Sequence, residues 1–131
     1  MLRGKWGTLA VIGAGAATIA AVATAASSAT GKGPSTSTAP YVLPVTDGVQ
    51  ITSLLTVGDD GAAGNGYELV GIPDGLGARA DKGGKFTLFM NHELRTTQGV
   101  PRAHGQAGAF VSTWSFDAKT LAAKQGADLI K

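Results

Sequence analysis

From residue 49 onward the chain alternates short apolar runs with clusters of Gly, Asp and Pro. The runs have the length and composition of strands rather than helices. Val49 to Val57 is rich in β-branched residues and ends in the turn cluster Gly58-Asp59-Asp60-Gly61. Tyr67 to Ile72 predicts a second strand, stopped by Pro73-Asp74-Gly75, and Phe86 to Met90 predicts a third, entered through Asp81-Lys82-Gly83-Gly84. The clearest pattern is Gly108 to Asp117, where Phe110, Ser112, Trp114 and Phe116 share one face and Val111, Thr113 and Ser115 the other. That period of two defines a half-buried strand. Asp117-Ala118-Lys119-Thr120 then predicts a turn, with a partner strand returning from Leu121 toward Ile130. No segment past the N-terminus sustains a 3.6-residue period, so the expected fold class is all-β, with antiparallel strands.

The first part of the chain reads differently. Met1 to Lys5 is short and positive, no further charge occurs before Lys32, and the stretch between is Ala/Gly/Val-rich up to the small-x-small pattern Ala23-Thr24-Ala25. A positive start, an apolar run and such a site define a secretory signal peptide over residues 1–26. A retained anchor is the alternative, but an anchor needs roughly 20 strongly apolar residues, and Thr8, Thr18 and Thr24 interrupt this run. With the single arginine Arg3, the general secretory route is the expected one, and the mature part is secreted or extracytoplasmic, with no membrane contact after cleavage. Residues 27–48, rich in Ser, Thr, Gly and Pro, have few side chains that could offset the entropy of ordering and read as a flexible linker. Residues 49–131 form the β segment.

Composition narrows the function. The chain has no cysteine, which excludes disulfides and a cysteine-borne lipid anchor. Its net charge of +2 includes Arg3 and Lys5, so the mature part is nearly neutral, without the basic patch that nucleic-acid binding needs. No G-x-S-x-G elbow, P-loop or H-E-x-x-H helix occurs, and the glycines of 71–77 open no helical pattern of the dinucleotide-binding kind.

The candidate chemistry lies at strand ends. Asn91, His92 and Glu93 follow the apolar run that ends at Met90, and His104, the second of two histidines, stands just before the next strand. Glu offers a hard oxygen, Asn a carbonyl oxygen and His a nitrogen, a donor set that suits a cation. The segment 94–101 is long enough to let both borders meet at one end of a sheet. Asp74 is a further carboxylate, although Pro-Asp-Gly is first a turn sequence. The competing reading is that Glu93 and His92 cap a turn and His104 hydrogen-bonds a loop carbonyl. Asp59 and Asp60 do not have EF-hand spacing and read as a solvated turn. Arg95 and Arg102 flank the cluster, where either could pair with an anionic substrate group.

The N-H-E segment at 91–93, followed by Ala103-His104-Gly105 opening the run to Val111, resembles the PhoX-like secreted alkaline phosphatases, and Gly71-Ile72-Pro73-Asp74-Gly75-Leu76-Gly77 resembles the blade loops of secreted propeller hydrolases. The resemblance covers roughly residues 65–131. It implies the first blade or two of a β-propeller, in a calcium- and iron-dependent phosphomonoesterase acting on a phosphate ester. Glu93 is the implied metal ligand, with Asn91, His92 and His104 beside it. A propeller needs at least four blades of four strands, so the chain is expected to be the N-terminal part of a longer protein and inactive alone. The rival expectation is a non-catalytic exported β module that binds a partner or the cell envelope.

Overall fold

The computed structural model describes residues 29–131, so the expected signal peptide lies outside the described residues. Six strands follow in order: β1 (Ala29–Lys32), β2 (Gln50–Ser53), β3 (Pro73–Asp81), β4 (Lys85–His92), β5 (Phe110–Asp117) and β6 (Ala123–Asp128). The described residues contain no helix, and hence none long and apolar enough to cross a membrane. The all-β expectation holds. β3 to β6 form an antiparallel up-and-down sheet in sequence order, whereas β1 and β2 pair in parallel as a separate ribbon. The larger sheet is open.

β5 alternates buried and half-buried positions along its whole length, as its period of two predicts. Its register with β4 sets Phe86 opposite Phe116, Leu88 opposite Trp114, Met90 opposite Ser112 and His92 opposite Phe110. One face therefore collects the large side chains. Phe86 stacks on Phe116 with centroids 4.9 Å apart, and Tyr67 meets Trp114 edge-on at 5.2 Å. Ala62, Ala63, Leu69 and Ala123 close the core, with Leu54 and Leu55 packed at its margin. Full burial of a side chain such as Phe116 contributes roughly 1.5–3 kcal/mol.

The turns are where the Gly and Asp clusters place them. Gly83 and Gly84 both take positive φ between β3 and β4, a conformation that glycine adopts without steric cost. Between β5 and β6 the Asp117 carboxylate accepts the backbone N–H groups of Lys119 and Thr120. These bonds hold the Asp117 carboxyl below its usual range.

Three strand expectations are corrected. Residues 67–72 are not a strand. They cross the sheet face, where Leu69 is buried and Tyr67 packs against the core, and that burial outweighs their β propensity. The strand is instead Pro73–Asp81, where Pro-Asp-Gly had read as a turn. Pro73 opens an edge strand, so its missing N–H leaves no ladder bond unmade. A register shift between Pro73 and Leu76 absorbs Asp74 and Gly75 as an irregularity. Only Gln50–Ser53 of the run from Val49 to Val57 is a strand, and its partner β1 comes from the segment read as linker. β6 begins at Ala123 rather than Leu121, because Leu121 takes a positive φ of 61° inside the turn.

The two edges of the four-stranded sheet differ. Along β6, Ala123 N–H donates to Ser35 Oγ, Gly64 N–H donates to the Ala123 carbonyl, and the Asn65 side-chain amide pairs with both backbone groups of Gly126. Along β3, no described residue outside the sheet bonds to the backbone of Leu76–Asp81. The core layer also stops short of β3. Leu76, Ala78 and Ala80 stand in register with Met90, Leu88 and Phe86, yet are exposed.

Gly126 faces the Tyr67 ring so closely that a Cβ there would lie 2.4 Å from Tyr67 Cδ1, whereas nothing lies within 4 Å of a Cβ at Gly77. Gly126→Ala is expected to cost about 1–3 kcal/mol of unfolding free energy by overpacking, and Gly77→Ala to be neutral or to stabilise by up to about 1 kcal/mol. Urea denaturation measures both; equal losses would remove the close approach at Gly126 as the cause.

Candidate functional site

The end of β4 carries the predicted cluster, and alternation along the strand splits it. Asn91 and Glu93 are exposed, while His92 between them is buried. His92 Nδ1 lies 2.8 Å from the Val70 carbonyl oxygen, which only accepts, so Nδ1 carries the proton. Nε2 must then accept, and the Ser112 hydroxyl donates to it at 2.8 Å. Ser112 Oγ in turn accepts the Trp114 indole N–H at 2.8 Å. The chain from Trp114 through Ser112 and His92 to Val70 satisfies every donor along it with His92 neutral. Burial, with the nearby Arg102 charge added, lowers the His92 pKa from its ordinary value of 6.5, against the opposing pull of the Val70 carbonyl and Asp128.

Phe110, the first residue of β5, links this chain to the next segment. The His92 ring stacks on Phe110 at 4.1 Å with planes 1° apart, and the Arg102 guanidinium carbon lies 4.0 Å from the Phe110 centroid. Two groups at that distance cannot share one face, so Phe110 is sandwiched between them. Arg102 Nη2 donates to the Tyr67 hydroxyl at 3.3 Å, and Tyr67 donates to Asp128. Burial and that bond to Asp128 push the Tyr67 hydroxyl well above its ordinary range. Asp128 also accepts Ala103 N–H at 2.8 Å and lies 3.6 Å from Arg102 Nε. Burial acts to raise the Asp128 carboxyl, but the Tyr67 and Ala103 bonds with the charges of Arg102 and His104 outweigh it, and the pKa is lowered.

The two motif borders thus meet at one end of the sheet, and the contact between them runs through Arg102 and Phe110. The charge of His104 acts on the Asp128 carboxylate. Glu93 donates its backbone N–H to the Ile72 carbonyl at 2.9 Å, and its side chain is exposed. The Asn91 amide nitrogen lies beside β3, 3.1 Å from where a Cβ on Gly75 would sit, and Asp74 is exposed within the register shift of β3. Among the described residues no three His, Cys, Asp or Glu side chains gather around a point that could hold a metal ion. Both His92 nitrogens are committed to protein partners, which leaves Glu93, Asn91 and Asp74 as the open oxygen donors at this end.

Ser112, Tyr67 and Asp128 are absent from the sequence-derived candidates although they organise this region. Ser112 interrupts the aromatic face of β5, and a small hydroxyl among Phe and Trp was the signal available for it. Tyr67 and Asp128 are far apart in the chain and gave none. The paired Asp59 and Asp60 behave as a turn; Asp59 accepts both the N–H and the hydroxyl of Ser37 and is held below the usual carboxylate range by those bonds.

Comparison with protein-family models, with curated proteins and with solved structures returns no match.

The His92 pKa is lower in the folded state than in the unfolded chain, so the unfolded chain takes up a proton first as pH falls. Folding free energy is therefore expected to hold its full value well above pH 6.5 and to decline as pH falls through and below 6.5. Urea midpoints on both sides of pH 6.5 check this, and His92→Gln should flatten the decline. A variant that kept the same slope would assign the titration elsewhere.

Proposed function

We propose that this chain is an exported, non-catalytic β module that packs its open sheet against a further β-sheet unit. The observation that carries the reading is an apolar groove of about 610 Å³ beside β3, walled by Tyr41, Ile51, Leu55, Leu69, Leu76 and Met90. Tyr41 is 90 % exposed, Val42 63 % and Leu76 62 %, a concentration of apolar surface that in soluble proteins marks an interaction site. The register gives the occupant its form. Leu76, Ala78 and Ala80 continue the core face of the sheet without a covering layer, so an apolar strand laid across them extends the core already present. Export rests on the residues 1–26 pattern.

Leu76→Asp tests the reading. The purified 131-residue chain is expected to self-associate with rising concentration in sedimentation, and Leu76→Asp to reduce that association about tenfold or more, the penalty of burying an unpaired charge. A wild-type chain that melts cooperatively as a strict monomer at high concentration would sink the proposal.

A second reading follows from the topology. An antiparallel four-stranded meander is the unit from which propeller blades are built, and Glu93 stands exposed at one end of this one. On that reading the chain is the N-terminal part of a longer, phosphatase-like propeller hydrolase acting on a phosphate ester. Metal ligands from further blades would complete a calcium or iron site around Glu93. Calcium or iron should then raise the thermal midpoint of the longer protein, and Glu93→Ala should abolish the rise. A midpoint indifferent to both metals rejects this reading and leaves the binding module.

A further inference from the structure

A second cleft, of about 530 Å³, opens beside the Phe110 stack and shares no lining residue with the apolar groove. Its walls are Val70, Ile72, Leu94 and Val100, with the Tyr67 ring and Arg102 among its polar boundaries. The volume lies within the usual range of small-ligand sites, which combine apolar walls with a few placed polar groups. Ile72 is 52 % and Val100 62 % exposed, so the walls are reachable from solvent.

Arg102 is fixed rather than free. Phe110 holds its plane, Tyr67 takes Nη2, and Asp128 stands 3.6 Å from Nε, which is buried and makes no hydrogen bond. Nη1 has no partner among the described residues, and it is not one of the buried unsatisfied atoms, so it reaches solvent. The Asp128 carboxylate is already taken by Tyr67 and Ala103. The cleft therefore presents a preorganised guanidinium edge beside an apolar wall. A held guanidinium loses little freedom on binding, which favours a planar oxyanion. Glu68 also lines the cleft, and its like charge disfavours anions with more than one negative charge.

We propose that this cleft binds a small monocarboxylate with an apolar body, the carboxylate on Arg102 and the body against Ile72, Leu94 and Val100. The site is independent of the docking groove, so either can fail without the other.

Titration of the full chain with 4-phenylbutyrate and with the neutral 4-phenylbutyramide, followed by amide NMR shifts, tests it. The acid should saturate, with the largest shifts at Val70, Leu94 and Val100, and the amide should bind about tenfold or more weakly, as expected for loss of a charge-assisted hydrogen bond. Arg102→Gln should erase the preference for the acid. Val100→Asp, at an exposed wall position outside the core, should weaken the acid more than the amide and leave the fold intact. Equal binding of acid and amide, shifts confined to residues outside the cleft, or no saturable shift would each overturn the proposal.

Discussion

His92 is buried between a backbone carbonyl and a serine hydroxyl, and one tautomer alone satisfies both. The Val70 carbonyl requires a proton on Nδ1 and thereby leaves Nε2 as an acceptor for Ser112, which Trp114 completes from the next core position of β5. Loss of any one member would strand its neighbours in the core, at about 1–3 kcal/mol for each unsatisfied group. The same ring stacks on Phe110 and so sets the platform on which Arg102 rests. β4, β5, the 67–72 crossing and the 102–104 loop are all registered against this one side chain.

That constraint explains why the 67–72 segment is not a strand. A strand there would direct its carbonyls into a sheet ladder, whereas the observed path leaves the Val70 carbonyl free for His92 and lets Tyr67 lie against Trp114. The Ile72 carbonyl takes the Glu93 N–H, so the crossing joins the sheet only at its end. Local β propensity is weak beside such tertiary demands. The path also forms one wall of the Arg102 cleft, and the core and the cleft therefore share their construction.

How much was legible in the sequence follows from the range of each interaction. The alternation in β5 is local and periodic, and it gave the correct face for every residue from Phe110 to Phe116. The glycine pair at 83–84 and the Asp117 turn carry their own chemistry and were equally readable. β3 was missed because Pro, Asp, Gly and Ala have low strand propensity; it is a strand because β4 offers a free edge, and its exposed residues need not pack. β1 was missed for a similar reason, its parallel partner standing some 20 positions away in register, from Ala29 to Gln50. At the candidate site the sequence placed Asn91, His92 and Glu93 at a strand end, and they stand at the end of β4. Without the alternation of β4 applied across it, however, it could not separate buried His92 from exposed Asn91 and Glu93.

The unequal edges of the sheet limit what its open side can do. On β6, Ser35, Gly64 and Asn65 occupy the outward backbone groups, so a strand cannot add there without displacing them. Among the described residues β3 has no such cover, but it opens with Pro73, carries the shift at Asp74 and Gly75, and holds Arg79 in an ion pair with Asp81. Proline, irregular register and edge charge are devices that discourage indiscriminate strand pairing. They act on the edge and leave the face alone. Leu76, Ala78 and Ala80 lie on the face of the sheet, and alternation directs Arg79 to the opposite face, so the sheet resists growth by edge pairing while its face stays open to packing. On the proposed reading, a partner that fits both conditions would lay a sheet over this face, which is how layered β structures bury their cores.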